Sequence, residues 1–201
     1  MEGNALKRNL IKIVVLLVAL MLVFTGCRQN ALKNVVSAYP LTSDQQELLG
    51  YLNLENNANL FSYRCPEEAL TITASTYVLD NGVWSNTGEG TISWDAGDEN
   101  SRNGVFTLIY REDRRFDMSL SAQGTSSFRS DPVEVSAELT AFSHAWLTEE
   151  QEIQLDKEIP VALFVGDSGN NMESFTTEDY YHPEKLQDLD LVQAVTLTFS
   201  A

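Results

Sequence analysis

The sequence predicts an all-β protein: an antiparallel β-sandwich of roughly eight to ten strands with one short N-terminal helix, built from residues 43–201. Three observations carry this expectation. Short runs rich in β-branched residues alternate apolar with polar side chains, polar or Gly-containing turns separate them, and a single stretch has helical spacing. About 175 residues follow position 26, enough for one well-buried domain, and no Pro-rich or Gly/Ser-rich linker divides them.

The helix is expected in SDQQELLGYL. Ser43 is placed to cap its first turn, Gln46 to bond back, and Leu48, Leu49 and Leu52 fall on one side. The strands follow. LTITASTYVL (Leu70 to Leu79) runs into Asp80-Asn81-Gly82, whose Asn-Gly favours a tight hairpin turn, and VWSNT returns from it. TISW, GVFTLIY, FDMSLSA, VEVSAELTAF, EIQLD, PVALFVG and LVQAVTLTFS complete the set, with REDRR (Arg111 to Arg115) as a charged hairpin turn. LTITASTYVLDNGVW and VEVSAELTAFSHAW resemble each other in strand length and both end on Trp (Trp84, Trp146), which raises the expectation of two similar halves.

The N-terminus has the three-part order of an export signal: basic Lys7, Arg8 and Lys12, an apolar run from Ile13 to Phe24, then Thr25, Gly26 and Cys27. As a helix the run would cover only about 18 Å of a roughly 30 Å hydrocarbon core, too little for a stable span. The stretch LVFTGC resembles the lipobox of bacterial lipoproteins, with Phe24 where an aliphatic residue is usual. The resemblance implies a signal peptide over 1–26, cleavage between Gly26 and Cys27, and Cys27 as the lipidated first residue of a mature chain. That chain would have a tether over 27–42 and a place on the extracytoplasmic face of a bacterial cell membrane. Ordinary cleaved secretion and an uncleaved N-terminal anchor are the alternatives. Cys65, among the apolar and aromatic residues of FSYRCPEEAL, is expected to be buried and unreactive; a Cys27–Cys65 disulfide is the alternative if Cys27 is not acylated.

Removing residues 1–26 takes away Lys7, Arg8, Lys12 and Glu2 and moves the net charge from -16 to -18. Such a field repels nucleic acid and anionic lipid head groups, and it favours cationic ligands. The partners expected are therefore the membrane, through the lipid, and a glycan, a peptide or another envelope protein.

Candidate chemistry is sparse. GDSG (Gly166 to Gly169) after an apolar run, with DYYHP (Asp179 to Pro183) beyond it, resembles the first and last blocks of the GDS(L)-type esterases, or SGNH hydrolases. That resemblance implies Ser168 as nucleophile, His182 as base and Asp179 as its orienting partner. Here, however, only ten residues separate Ser168 from Asp179, and the surroundings are β rather than α/β. The loop WDAGDENSRNG concentrates the oxygen ligands Asp95, Asp98, Glu99 and Asn100, with Asn103 nearby, as a Ca²⁺ site would require; Arg102 interrupts the EF-hand spacing. Zinc spacing is missing, since His144, His182 and Cys65 lie far apart in the chain. Tyr180, Tyr181 and His182, in a polar stretch before the last strand, are the expected exposed ligand-binding group, while the remaining aromatics serve the core. The function expected is that of a membrane-anchored binding module without enzymatic activity and without a cofactor other than Ca²⁺. A small Ser/His hydrolase and a structural or assembly subunit of an envelope complex are the competing readings; an unpaired sheet edge would mark the subunit.

Overall fold

The computed structural model describes residues 34–169 and 173–201; the expected signal peptide of 1–26 and the expected cleavage and lipidation site at Gly26 and Cys27 lie outside the described residues. In chain order the elements are β1 (Val35–Ala38), α1 (Ser43–Tyr51), β2 (Ala58–Arg64), β3 (Thr71–Asp80), β4 (Val83–Ser93), β5 (Asn103–Tyr110), β6 (Phe116–Ser121) and β7 (Thr125–Arg129). Then come β8 (Ala141–Trp146), β9 (Gln151–Glu152), β10 (Glu158–Asp167), two short 3-10 turns (Thr177–Tyr181 and Pro183–Lys185) and β11 (Leu191–Ser200). Two sheets form, one in the order β7-β6-β5-β2-β1-β9 and the other β4-β3-β11-β10-β8. Every pairing is antiparallel. The fold is thus the all-β sandwich the alternation predicts.

Phe61, Phe106, Leu108, Phe116, Ile72 and Phe199 are among the fully buried side chains between the sheets. They sit at alternate positions of their strands, which is why the flanking residues Leu60, Ser62, Val105 and Thr107 turn outward. The five-stranded sheet is covered on both faces. Leu163, Val165, Val192 and Ala194 pack on its far side against Tyr180 and Leu186 of the segment that links β10 to β11. Double coverage explains why β10 and β11 read as continuous apolar runs rather than alternating ones.

The Asn-Gly turn forms as its chemistry dictates, with Asn81 at φ 50° and Gly82 at φ 77° joining β3 to β4. VWSNT and TISW are one strand, β4, whose partner register shifts between Thr76 and Tyr77, so that Thr87 bulges out. Its carbonyl there accepts from Asp131 N–H at 3.3 Å, and the Phe128 ring lies where a Cβ on Gly90 would sit, 2.2 Å away. These contacts bring β4 against β7 and close that side of the sandwich.

Several expectations are corrected. Val35–Ala38, inside the expected tether of 27–42, is a strand paired with both β2 and β9, because Val36 fills the core completely. The domain therefore begins at Asn34, where the compact unit of residues 34–201 starts. The helix cap is Thr42, whose hydroxyl accepts from Gln45 N–H while the Gln45 side chain accepts from Thr42 N–H. Residues 133–140 of VEVSAELTAF alternate but pair with no strand, so only Ala141 onward joins the sheet, beside β10. The proposed duplication fails at that element, and its next pair also diverges: GVFTLIY lies in the six-stranded sheet, PVALFVG in the five-stranded one. EIQLD contributes only Gln151–Glu152 as strand.

Candidate functional site

The residues of the esterase-like motif have separate engagements. Ser168 N–H donates to Asp190 Oδ2 at 2.8 Å, and its carbonyl accepts from the Thr140 hydroxyl. Asp179 accepts from Thr176 N–H at 2.9 Å and from Lys185 Nζ at 3.1 Å; desolvation pushes its carboxyl up, and these donors outweigh it, leaving the pKa below the usual value. His182 Nδ1 lies 3.3 Å from Glu184, not on Asp179. The structure thus gives the aspartate a capping role at the 3-10 turn rather than an orienting role on the histidine.

The acidic loop is likewise committed internally. Asp98 accepts from Ser101 Oγ, Asn100 N–H and Gln123 Nε2, and Glu99 pairs with Arg102 at 3.5 Å. Among the described residues no group of three or more His, Cys, Asp or Glu side chains is gathered as a metal would need, so Asp95, Asp98, Glu99 and Asn100 are not assembled into a Ca²⁺ site. Cys65 is buried, its thiol donating to Arg102 C=O at 3.1 Å, and burial pushes its pKa up to about 12. It is a packing residue.

The expected aromatic group divides. Tyr180 is buried at 6 % exposure, which corrects its placement as an exposed partner of Tyr181. Its ring stacks on Trp84 at 4.9 Å, and the Trp84 indole donates to Tyr180 C=O. Its hydroxyl, together with that of Tyr77, donates to the Glu158 carboxylate, and desolvation and that carboxylate push the phenol pKa upward. Tyr181 is 51 % exposed, with its hydroxyl anchored on Glu158 C=O at 2.8 Å. It stands at a rim.

That rim belongs to a groove on the side of the sandwich opposite the β4–β7 contact. One stretch, of about 480 Å³, runs along β8 between His144–Glu149 and the facing wall Phe175–Glu178. A second, of about 720 Å³, continues from Gln151 past Asp156 and Glu158 to Tyr181. Gln151 lines both, so the two stretches adjoin along one groove. Its lining includes His144 and Trp146, and Phe142 continues their row beyond the lining residues. Phe142, His144 and Trp146 follow at every second position of β8 and share one face; His144 stacks on Phe164 at 5.7 Å, and Trp146 meets the same ring edge-on at 5.1 Å. Phe142 remains 62 % exposed. Its rim is acidic: Glu149, Glu178, Glu152, Asp156 and Glu158 line it against the single cation Lys157.

β8 is also an open sheet edge. It pairs with β10 alone, and no second strand pairs with it among the described residues. Leu147 N–H donates to Val161 C=O at 2.9 Å, which fixes the phase of the ladder. Ser143 and Ala145 therefore bond to β10, while Phe142, His144 and Trp146 turn their N–H and C=O groups away from it, His144 and Trp146 at the groove and Phe142 beyond its end.

The chain matches no known family model, no curated protein and no solved structure. Function has to be read from the groove itself. A smaller depression of about 360 Å³ on the outer face of the six-stranded sheet is a poorer candidate. The Asp117 carboxylate there is already held by Arg111 and Arg129, both at 2.7 Å, and Ser119, Ser127 and Thr107 supply only hydroxyls beside it. Among the described residues no helix is long and apolar enough to cross a membrane.

Sequence reasoning singled out Tyr181 but missed Phe142, His144, Trp146 and Phe175. The signal in AFSHAW was the alternation of large rings with small residues. What it lacked was the strand order, which alone says that this alternation lies on an edge.

Proposed function

We propose that the protein is a lipid-anchored extracytoplasmic binding module of a bacterial envelope, with the β8 groove as its ligand site. The observation that carries the reading is the half-uncovered aromatic row Phe142, His144 and Trp146 on an unpaired edge strand. Soluble chains seldom leave a strand edge and a ring exposed together, since both invite association. The open edge by itself suits an assembly subunit of an envelope complex equally well; the ring row beside the carboxylates of Glu149 and Glu178 is what favours a dedicated ligand site. The N-terminal LVFTGC supports the anchor. Seven residues separate Cys27 from Val35, so an acylated Cys27 would hold β1 within roughly 28 Å of the lipid surface, eight Cα–Cα steps at full extension.

Two measurements test the two halves of the reading. The mass of the mature N-terminus, from the full chain expressed in a bacterial host, is expected to show a diacylated Cys27 that Cys27→Ala abolishes; an unmodified N-terminus would remove the anchor. A photo-crosslinking residue at Phe142 is expected to form adducts in the envelope, whereas one at Thr107 on the hydroxyl face is not. Equal yields at the two positions would remove the groove.

A further inference from the structure

We infer that the ligand of the groove is an extended, positively charged polypeptide segment that adds to β8 as a sixth strand of the five-stranded sheet. This inference rests on the groove being the binding site, and it names what the groove takes. Three outward-facing residues, Phe142, His144 and Trp146, offer alternating main-chain donors and acceptors, which is the template an added antiparallel or parallel strand requires. A strand laid there places successive side chains alternately over the aromatic row and toward the Phe175–Glu178 wall.

The edge carries none of the devices that ordinarily blunt such a template. β8 reads AFSHAW, with no Lys, no Pro and no bulge within Ala141–Trp146. The other edges of the molecule are managed: β4 and β7 lie against each other, and β9 is two residues long.

Charge selects the occupant. The carboxylates of Glu149 and Glu178 beside β8, with Glu152 and Asp156 against Lys157 alone in the adjoining stretch, favour Lys and Arg side chains on the incoming strand. The same charges disfavour a second copy of this chain, which would bring β8 and its acidic rim against an identical rim. A neutral glycan would use the rings but leave the outward main-chain groups of β8 unused.

The test uses the full chain and a fluorescein-labelled decapeptide of alternating lysine and valine. Its comparators are an alternating glutamate–valine peptide and a lysine–valine peptide N-methylated at every second amide. The lysine–valine peptide is expected to bind at least tenfold more tightly than either comparator and to slow hydrogen exchange at the amides of Phe142, His144 and Trp146. His144→Pro removes one outward N–H and no bond to β10, a substitution edge strands accommodate; it is expected to weaken binding at least tenfold. Glu149→Gln with Glu178→Gln is expected to weaken it and flatten its salt dependence. Should His144→Pro not fold, the N-methylated peptide answers the same question. Absence of binding by the lysine–valine peptide, equal binding of the glutamate–valine peptide, or binding without protection of the three amides would overturn the inference. If adducts still formed at Phe142 in the envelope, the groove would stand as a site and only this ligand class would fall.

Discussion

Gln193 shows how one side chain ties the two sheets together. It is fully buried on β11, donates from its amide nitrogen to Arg114 C=O at 2.8 Å and accepts from the Tyr110 hydroxyl at 3.1 Å. Arg114, at φ 65°, is the left-handed residue of the β5–β6 turn, so the amide clamps that turn to the opposite sheet. Gln193→Leu keeps the volume and leaves a carbonyl and a hydroxyl without partners. The expected cost is about 1–3 kcal/mol, read as a lower urea midpoint at unchanged slope. A change below about 0.5 kcal/mol would show that the clamp contributes nothing. His144 offers a prediction with a definite sign. Partial desolvation against Phe164 and Trp146 pushes the imidazole pKa below the usual value of about 6.5, although the ring keeps one side open to solvent. As pH falls the unfolded chain takes the proton first, so the stability contributed by neutral His144 is complete above about pH 6.5 and is lost on acidification through the folded-state value. An NMR titration of the His182→Asn chain, which leaves one imidazole, should place the midpoint below that of the unfolded chain; a midpoint at or above it would refute the burial argument.

At the scale of elements, β1 and α1 exchange the importance their sequences suggest. Leu48 and Leu52, which the helical spacing groups on one side, are 55 % and 57 % exposed, and α1 buries no residue. Val36 of the short β1 is fully buried. Leu48→Ser with Leu52→Ser should therefore change stability by less than about 0.5 kcal/mol per site, while Val36→Ser should cost about 1.5–3 kcal/mol. Thermal melts of the two variants separate these outcomes, and a helix variant as damaged as the strand variant would mean that α1 packs in solution. The contrast also marks where the sequence was legible. The β3–β4 hairpin could be read because Asn81-Gly82 specifies its turn locally, and β10 and β11 because long apolar runs admit few alternatives. β2 alternates in FSYR, but its run is short and ends at a Cys-Pro pair, which leaves little strand signal beside the longer runs. β7, TSSFR, hides because its exposed residues leave only Phe128 to signal a strand. Residues 133–140 had the signal without the structure, because a strand needs a neighbour and none is there. The groove suffered the same limit: Phe142 and Trp146 are visible in the sequence, but an edge is a property of non-local pairing.

Taken as a whole, residues 34–201 form a sandwich shut on the β4–β7 side and open along β8, carrying a charge far from zero. Residues 34–201 hold eight Lys or Arg against twenty-eight Asp or Glu. The ion pairs are mostly at the surface: Arg102–Glu99, Arg115–Asp113 and Lys185–Asp179 each have at least one well-exposed partner. Pairs of this kind contribute about 0–1 kcal/mol each, and salt weakens them. Self-repulsion among the excess carboxylates acts in the opposite sense, because the compact state holds like charges closer than the unfolded chain does, and salt relieves it. With carboxylates outnumbering cations more than threefold, repulsion is the larger of the two effects. Raising NaCl from about 10 mM to about 300 mM shortens the screening length from about 30 Å to below about 10 Å. The melting temperature is therefore expected to rise by a few degrees, the equivalent of about 1 kcal/mol in a domain of this size. A fall would show instead that the attraction of Asp117 for Arg111 and Arg129 governs the electrostatics of the fold. The same screening should loosen a cationic strand from the groove, so salt would stabilise the protein while weakening its complex. That opposition separates the molecule's net repulsion from the local attraction along β8.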